Sequence, residues 1–294
     1  MIFLLLIITY QVLNNSIEIT NSIKFSIDIW KNNIFPSILP FFIISSLLIN
    51  YGIINISKII SPLMRLFGID KNISFVFIMS IFSGFPSNSK YLKELLDKKI
   101  IDIDTSSKAL LFTHFSNPLF ILSTLSIYNM KIAIAILIVH YITNIIIGII
   151  FKNYHNSYIN TKDNTNIEKL SFSIVLTNSI KSSIEVLLII LGTIATCSII
   201  SCIINDIFNT SDITKSLISG IIEITQGLKY ISLTKLSLKL KVTISTMLLS
   251  FGGLSIHLQI KSIIPNIKYI PYLLARILHA IISGGIIYLI FNFL

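Results

Sequence analysis

The sequence predicts an all-α polytopic membrane protein built as two inverted repeats, each with a re-entrant helical hairpin and a broken transmembrane helix. Three observations support that fold class. Apolar runs such as Ile132–Phe151, Ile184–Ile204 and Leu273–Leu294 approach the length of about 20 residues that crosses a bilayer. Short polar interruptions fall inside other apolar stretches, where broken backbone is tolerated only if protein or a water-lined cavity satisfies it. The interruptions recur in the same order on both sides of Asn153–Lys169, the longest hydrophilic stretch. A matched pair of breaks, one per half, is the pattern of a transporter with a site near the midplane.

Composition agrees and excludes other classes. With 53% hydrophobic residues, 12% charged residues and a mean hydropathy of +0.84, the chain is no ordinary soluble globule. Isoleucine dominates, yet no run alternates apolar with polar over the roughly ten residues a barrel strand requires. The net charge of +10 is spread over many short loops without interleaved aromatics, so no nucleic acid is expected as partner and the lipid bilayer is. Lys outnumbers Arg 21 to 2 and Asn is abundant, as in AT-rich coding sequence, so a single Lys or Asn carries little weight. Cys197 and Cys202 share one apolar run without C-x-x-C spacing and read as packed small residues. Walker, dinucleotide-glycine, H-E-x-x-H and G-x-S-x-G patterns are absent, so no enzyme activity, cofactor or metal is expected.

The elements follow in order. Met1–Leu13 lacks the basic n-region and cleavage site of a signal peptide and reads as a retained anchor or short span, a first unit at 1–22. The first repeat covers 23–152. It has a span at about 32–50 with kinks at Pro36 and Pro40, then a basic amphipathic stretch, Ile53–Leu66, that suits the membrane surface. An apolar arm, Ile73–Phe82, a polar tip at 83–90 and a return arm, Tyr91–Leu96, follow; neither arm is long enough to cross, so a hairpin entering and leaving on one face is expected. Spans come next at about 107–127, broken at Ser116–Pro118, and 131–151. After a polar linker at 153–178, the second repeat, 179–294, has a span at about 181–204 and a hairpin over Ile213–Leu233 with its tip at Glu223–Gly227. A span at 242–262 is interrupted at Gly252-Gly253, and a last one runs over 271–293.

If each hairpin returns to the face it left, each half crosses three times, and the odd count inverts the second half. On that topology one face carries 15 Lys/Arg and the other 8, which makes the richer face cytoplasmic.

The polar interruptions hold the candidate binding residues. At the first tip Gly84 and Pro86 turn the chain, Ser87, Asn88 and Ser89 offer small donors and acceptors, and Lys90 supplies a cation; an ordinary solvated loop has the same composition. Asn117, before Pro118, binds either a ligand or the carbonyl that proline frees. Glu223, an acid in an apolar run, suits cation or proton binding, or a salt bridge to Lys229. Thr225 and Gln226 follow it, then Gly227. Gly252 and Gly253 permit unwinding, after which Ser255, His257 and Gln259 present polar atoms. His114, His140 and His279 read as helix–helix contacts, and Arg276 either snorkels to an interface or meets an anionic substrate.

The motifs Ser83-Gly84-Phe85-Pro86 with Lys90, Ser116-Asn117-Pro118-Leu119-Phe120, Glu223-Ile224-Thr225-x-Gly227 and Ser250-Phe251-Gly252-Gly253-Leu254-Ser255-Ile256-His257-x-Gln259 resemble the sporulation integral membrane protein YlbJ family. That resemblance spans about Trp30 to Leu294 and is extended by Pro271-Tyr272-Leu273 and Arg276-Ile277-Leu278-His279-Ala280. The first tip departs from it, with Ser87-Asn88-Ser89 where a Val-Gly-Ala is expected. The resemblance implies two nucleoside-recognition Gate domains, a plan similar to concentrative nucleoside transporters, and a role in the outer forespore (mother-cell) membrane. It further implies dipicolinate as cargo, with a coupling Na⁺ or H⁺, in a homo-oligomer or with other sporulation membrane proteins. A nucleoside-type transporter and a Gate-domain scaffold or regulator of a sporulation complex are the alternatives.

Overall fold

The computed structural model describes residues 9–51, 60–155, 171–208 and 210–294, and all regular structure among them is helical. Among the described residues five helices are long and apolar enough to cross a membrane: Ser16–Asn50, Met130–Ile150, Phe172–Ile207, Leu238–Ile263 and Tyr269–Phe293. In chain order the elements are α1 (Ser16–Asn50), α2 (Ser61–Leu66), α3 (Ile73–Ser83), α4 (Ser87–Asp97), α5 (Ile103–Phe112), α6 (Pro118–Leu125) and α7 (Met130–Ile150). The second half adds α8 (Phe172–Ile207), α9 (Asp212–Ile222), α10 (Ile224–Leu233), α11 (Leu238–Phe251), α12 (Gly253–Ile263) and α13 (Tyr269–Ile290). Most of Met1–Leu13 and of the expected linker, and the first half of Ile53–Leu66, lie outside the described residues.

Each half thus has a long helix, two short helices packed as a hairpin, a helix in two pieces and a final helix. Like pairs with like: α1 packs along α8, and α7 along α13. Several boundaries differ from expectation. The first span runs from Ser16 rather than 32, and α8 begins at Phe172, inside the expected linker. The first broken helix is two short pieces with a gap at 113–117, wider than the Ser116–Pro118 anticipated.

The outside of the bundle is apolar and the inside is partly polar, as lipid solvent demands. On α7, Ile134, Ile138 and Ile142 are exposed, whereas Ile136, His140, Thr143, Asn144 and Ile147 face inward. Interhelical serine pairs join Ser26 to Ser198 at 3.0 Å, Ser201 to Ser219 at 2.9 Å and Ser283 to Ser250 at 2.8 Å. These short side chains let helices approach closely and hydrogen-bond across the contact.

Within α1, Trp30–Ile34 forms a π-helical turn just before Pro36. Proline lacks the donor for a carbonyl one turn back, and a π turn is one way a helix absorbs that loss. The turn brings Asn33 and Ser37 toward the centre of the molecule, where Ser37 Oγ donates to Asn33 O at 2.5 Å and Ile34 O at 3.1 Å.

The ends of the elements sort into two groups. Lys98, after α4, donates to Ile49 O at 3.3 Å, Lys108 of α5 donates to Gly68 O at 2.8 Å and to Lys152 O, and Lys268 pairs with Asp104 at 2.7 Å. The other group joins Asn15 to Asp206 at 2.6 Å, Lys241 to Ser232 O at 2.9 Å, and Lys239 to the Tyr288 ring at 3.8 Å.

Candidate functional site

The two hairpin tips are tighter than the sequence suggests. At the first, only Gly84, Phe85 and Pro86 are non-helical, and α4 already begins at Ser87. Gly84 adopts φ +74° and ψ −175°, a region open essentially to glycine alone. At the second tip a single extended residue, Glu223, joins α9 to α10. Its carboxylate caps α10 by accepting from Gln226 N at 3.0 Å and from the Thr225 hydroxyl. No salt bridge to Lys229 forms; that ammonium stands 4.3 Å from the centre of the Phe25 ring.

Each tip rests on the break of its own half. A Cβ on Gly84 would lie 2.2 Å from Asn117 N, and Phe85 N donates to Phe115 O at 2.6 Å. In the second half a Cβ on Gly253 would lie 3.1 Å from Ile224 N.

The freed backbone at the first break is satisfied by protein, carbonyl by carbonyl. Arg276 donates to Leu111 O, Asn144 to His114 O at 2.8 Å, and the Tyr141 hydroxyl to Ser116 O at 3.1 Å. Asn117 caps α6 by accepting from Leu119 N at 2.8 Å and Phe120 N at 3.2 Å, while its amide donates to Phe82 O at 3.2 Å. Arg276 therefore neither snorkels nor faces a cavity. It is fully buried at the carboxyl end of α5, where a cation offsets the helix dipole; its Nη1 reaches His279 Nδ1 at 2.9 Å and Asn144 at 3.4 Å, while Nε has no protein partner.

Histidines knit the two breaks together. Ser116 N donates to His140 Nε2 at 3.0 Å, so Nδ1 carries the proton and donates to Ser250 Oγ at 3.1 Å. His114 stacks on Phe85 and packs so closely on Gly252 that a Cβ there would fall 2.8 Å from Nε2. Gly252 itself sits at φ +89°, which ends α11. His257 donates from Nε2 to the freed Phe251 O at 3.1 Å and accepts at Nδ1 from Tyr269 at 3.0 Å.

Both tips and both breaks converge on one cavity of about 50 Å³, room for a few water molecules. The first half contributes Phe85, Pro86, Ser116, Asn117 and Phe120. The second contributes Glu223, Ile224, Thr225, Ser255 and Gln259, and α1 adds Asn33 from its π turn and Ser37 just after it. Four buried polar atoms around this cavity have no protein partner: Ser116 Oγ, Glu223 Oε1, Ser255 Oγ and Gln259 Nε2. Buried polar atoms are nearly always hydrogen-bonded, so four orphans on one small cavity mark a place for a polar guest.

Of the expected site residues, the cavity gathers Pro86, Asn117, Glu223, Thr225, Ser255 and Gln259. It does not gather Ser87, Asn88, Ser89 or Lys90. These lie in the first turn of α4, buried among protein groups: Asn88 donates to Thr113 at 3.3 Å, Ser89 to Pro86 O at 2.6 Å, and Lys90 pairs with Glu94. Gln226 lines a separate polar cavity, and His257 is spent on the break. The glycines act as expected in shape, since a Cβ on Gly227 would meet Gly220 Cα at 2.1 Å, and Pro118 opens α6. Asn33, Ser37 and Ser116 are site residues that the sequence reasoning passed over. Asn33 and Ser37, one turn apart beside Pro36, were the available signal.

Comparison with known proteins agrees with these motifs. A family profile described as nucleoside recognition (Gate) matches residues 33–205, from the π turn of α1 to the end of α8. The second hairpin and break lie beyond the matched stretch. The chain is also 28% identical over 312 aligned positions to a protein of Bacillus subtilis (strain 168) named sporulation integral membrane protein YlbJ, covering 92% of this chain and 76% of that one. No solved structure matches.

Proposed function

This chain belongs to the nucleoside-recognition (Gate) family, and from that premise we propose that it is a sporulation membrane transporter carrying a small polar organic solute, dipicolinate foremost, by alternating access. The multi-pass membrane character follows from its five long apolar helices. The link to sporulation comes through its similarity to the B. subtilis protein, and the outer forespore membrane is the location in which such a carrier would act.

One observation carries the reading: four unpartnered polar atoms ring a cavity where two helical tips meet two helix breaks. Broken helices whose polar ends face a central cavity are how a membrane protein offers hydrogen bonds to a solute away from bulk water. The Gln259 amide and the Ser116 and Ser255 hydroxyls suit the carboxylates of a planar dicarboxylate. Glu223 suits the coupling Na⁺ or proton that would offset the solute's charge. With room for only a few waters, the cavity is too small for such a solute as it stands, so a hairpin moves to admit one.

The proposal includes an inverted arrangement with re-entrant hairpins. Support comes from the two groups of helix ends: both ends of α3–α4 fall with the carboxyl ends of α1 and α7, and both ends of α9–α10 fall with the amino ends of α1 and α11.

The test is uptake of labelled dipicolinate by proteoliposomes at varied Na⁺ and pH. Saturable uptake that falls at least about tenfold in Ser255→Ala and Glu223→Gln is expected, a loss of about 1.4 kcal/mol. Absence of dipicolinate uptake, with nucleoside uptake in its place, would transfer the site to the nucleoside reading suggested by the family's description. No flux at all, with both variants still supporting spores, would favour a scaffold.

A further inference from the structure

A second cavity, of about 390 Å³, lies between the amino-terminal part of α1, the carboxyl end of α8 and the α9–α10 hairpin. It is polar and holds four charged side chains: Glu18, Asp206, Lys215 and Lys229. Among the described residues no ion pair joins any two of them. The two ammonium groups rest on aromatic rings instead, Lys215 at 5.0 Å from Tyr230 and Lys229 at 4.3 Å from Phe25.

A third cavity, of about 210 Å³, shares walls with both of the others. It shares Phe25 and Lys229 with the polar cavity, and Asn33, Phe120 and Thr225 with the central one. By these shared walls the three are ordered from the ends of the second hairpin to the helix breaks. Among the described residues Lys229 is the one charged group lining the third cavity, and Glu223 the one lining the central cavity. On the other side of the centre the corresponding lysine, Lys90, is buried, paired with Glu94, set over Phe42 at 5.2 Å, and lines none of the three.

We propose that the polar cavity is a vestibule, that the series is the access route to the central pocket from the face of the second hairpin, and that Lys229, standing on Phe25 in the throat, is the residue that screens solutes by charge. The proposal rests on the reading that the central pocket receives a solute. Lys229 is exposed and is the charged group common to the polar cavity and the third one, so a cation there repels cations and draws anions inward. An anion that passes it then meets Glu223, and enters the centre together with the cation that neutralises that carboxylate.

The test uses thiol probes of opposite charge rather than flux. With Cys197 and Cys202 changed to serine, a Ser255→Cys reporter lies in the central pocket beyond the throat. Impermeant anionic (sulfonatoethyl) and cationic (trimethylammonium-ethyl) methanethiosulfonates are applied to either side in right-side-out and inverted vesicles. The anionic reagent should react faster, after correction for intrinsic reactivity, and only from the second-hairpin face. Lys229→Glu should lower the anionic-to-cationic rate ratio by about tenfold or more. An unchanged ratio in Lys229→Glu, or reaction only from the opposite face, overturns the proposal. Should the reporter chain fail to fold, Cys202 in the unaltered protein serves: it lines the vestibule, so it must react from the second-hairpin face while the buried Cys197 stays protected. Silence at Cys202 overturns the route. If dipicolinate uptake fails while this charge pattern holds, the cargo is wrong and the route stands.

Discussion

Gly84→Ala should undock the first hairpin from the first break. Two costs combine. The backbone at Gly84 sits at φ +74° and ψ −175°, and a residue with a Cβ pays about 1–3 kcal/mol to hold such a conformation. The new methyl would lie 2.2 Å from Asn117 N and 2.8 Å from Asn117 Cα, backbone atoms that cannot rotate away, and overpacking of that kind costs about 1–3 kcal/mol. The sum, about 2–6 kcal/mol, exceeds what the Phe85 N to Phe115 O hydrogen bond at 2.6 Å returns, about 1 kcal/mol. The tip must therefore lift off. The assay is the apparent melting temperature of the purified protein in detergent, read beside solute uptake. Gly192→Ala and Gly285→Ala are the controls, because a Cβ at either meets nothing within 4 Å and both lie inside helices. There alanine should be neutral or stabilise by about 0.5–1 kcal/mol. A Gly84→Ala protein that melts and transports like the controls would refute the docking argument.

Other substitutions separate the parts of the site. His140→Leu leaves Ser116 N without a partner, while Ser250 Oγ keeps Ser283, and should destabilise by about 1–3 kcal/mol for that buried orphan, measured by thermal melting. Arg276→Met strips the donor from Leu111 O and should destabilise more than Arg276→Lys does, with both losing stability before any change in solute preference. Asn117→Ala should cost about 1 kcal/mol through the lost cap of α6, and it should raise the solute concentration needed for half-maximal uptake if the amide also meets solute. Glu223→Gln keeps an acceptor for Gln226 N but removes the charge, so uptake should lose its dependence on the coupling cation while the protein stays folded.

The parts of this fold written in the sequence are those where hydrocarbon leaves no choice. Glycine, proline, asparagine and an acid inside apolar runs announced both tips and both breaks, because each departs from what an unbroken buried helix requires. What was hidden is where polarity serves protein rather than water. Ser87-Asn88-Ser89-Lys90 has the composition of a loop, yet it forms a buried helical turn whose polar groups bond to Thr113, Pro86 O and Glu94. The polar residues between Ser16 and Lys31 masked half of α1 for the same reason, since several of them line the vestibule. Arg276 and the histidines were legible as membrane-embedded polar groups, but their task of satisfying freed carbonyls depends on tertiary pairing that spacing alone does not encode.

Phe25 and Phe42 lie on the same continuous helix, 17 positions apart and on opposite sides of its π turn. At 1.5 Å per residue that separation is about 25 Å, most of the hydrocarbon thickness. One rod therefore carries the seats of both hairpin lysines, with a soft pivot between them at Trp30–Ile34. On the alternating-access reading proposed above, this helix is therefore the one element through which a displacement at either hairpin lysine is felt toward the other.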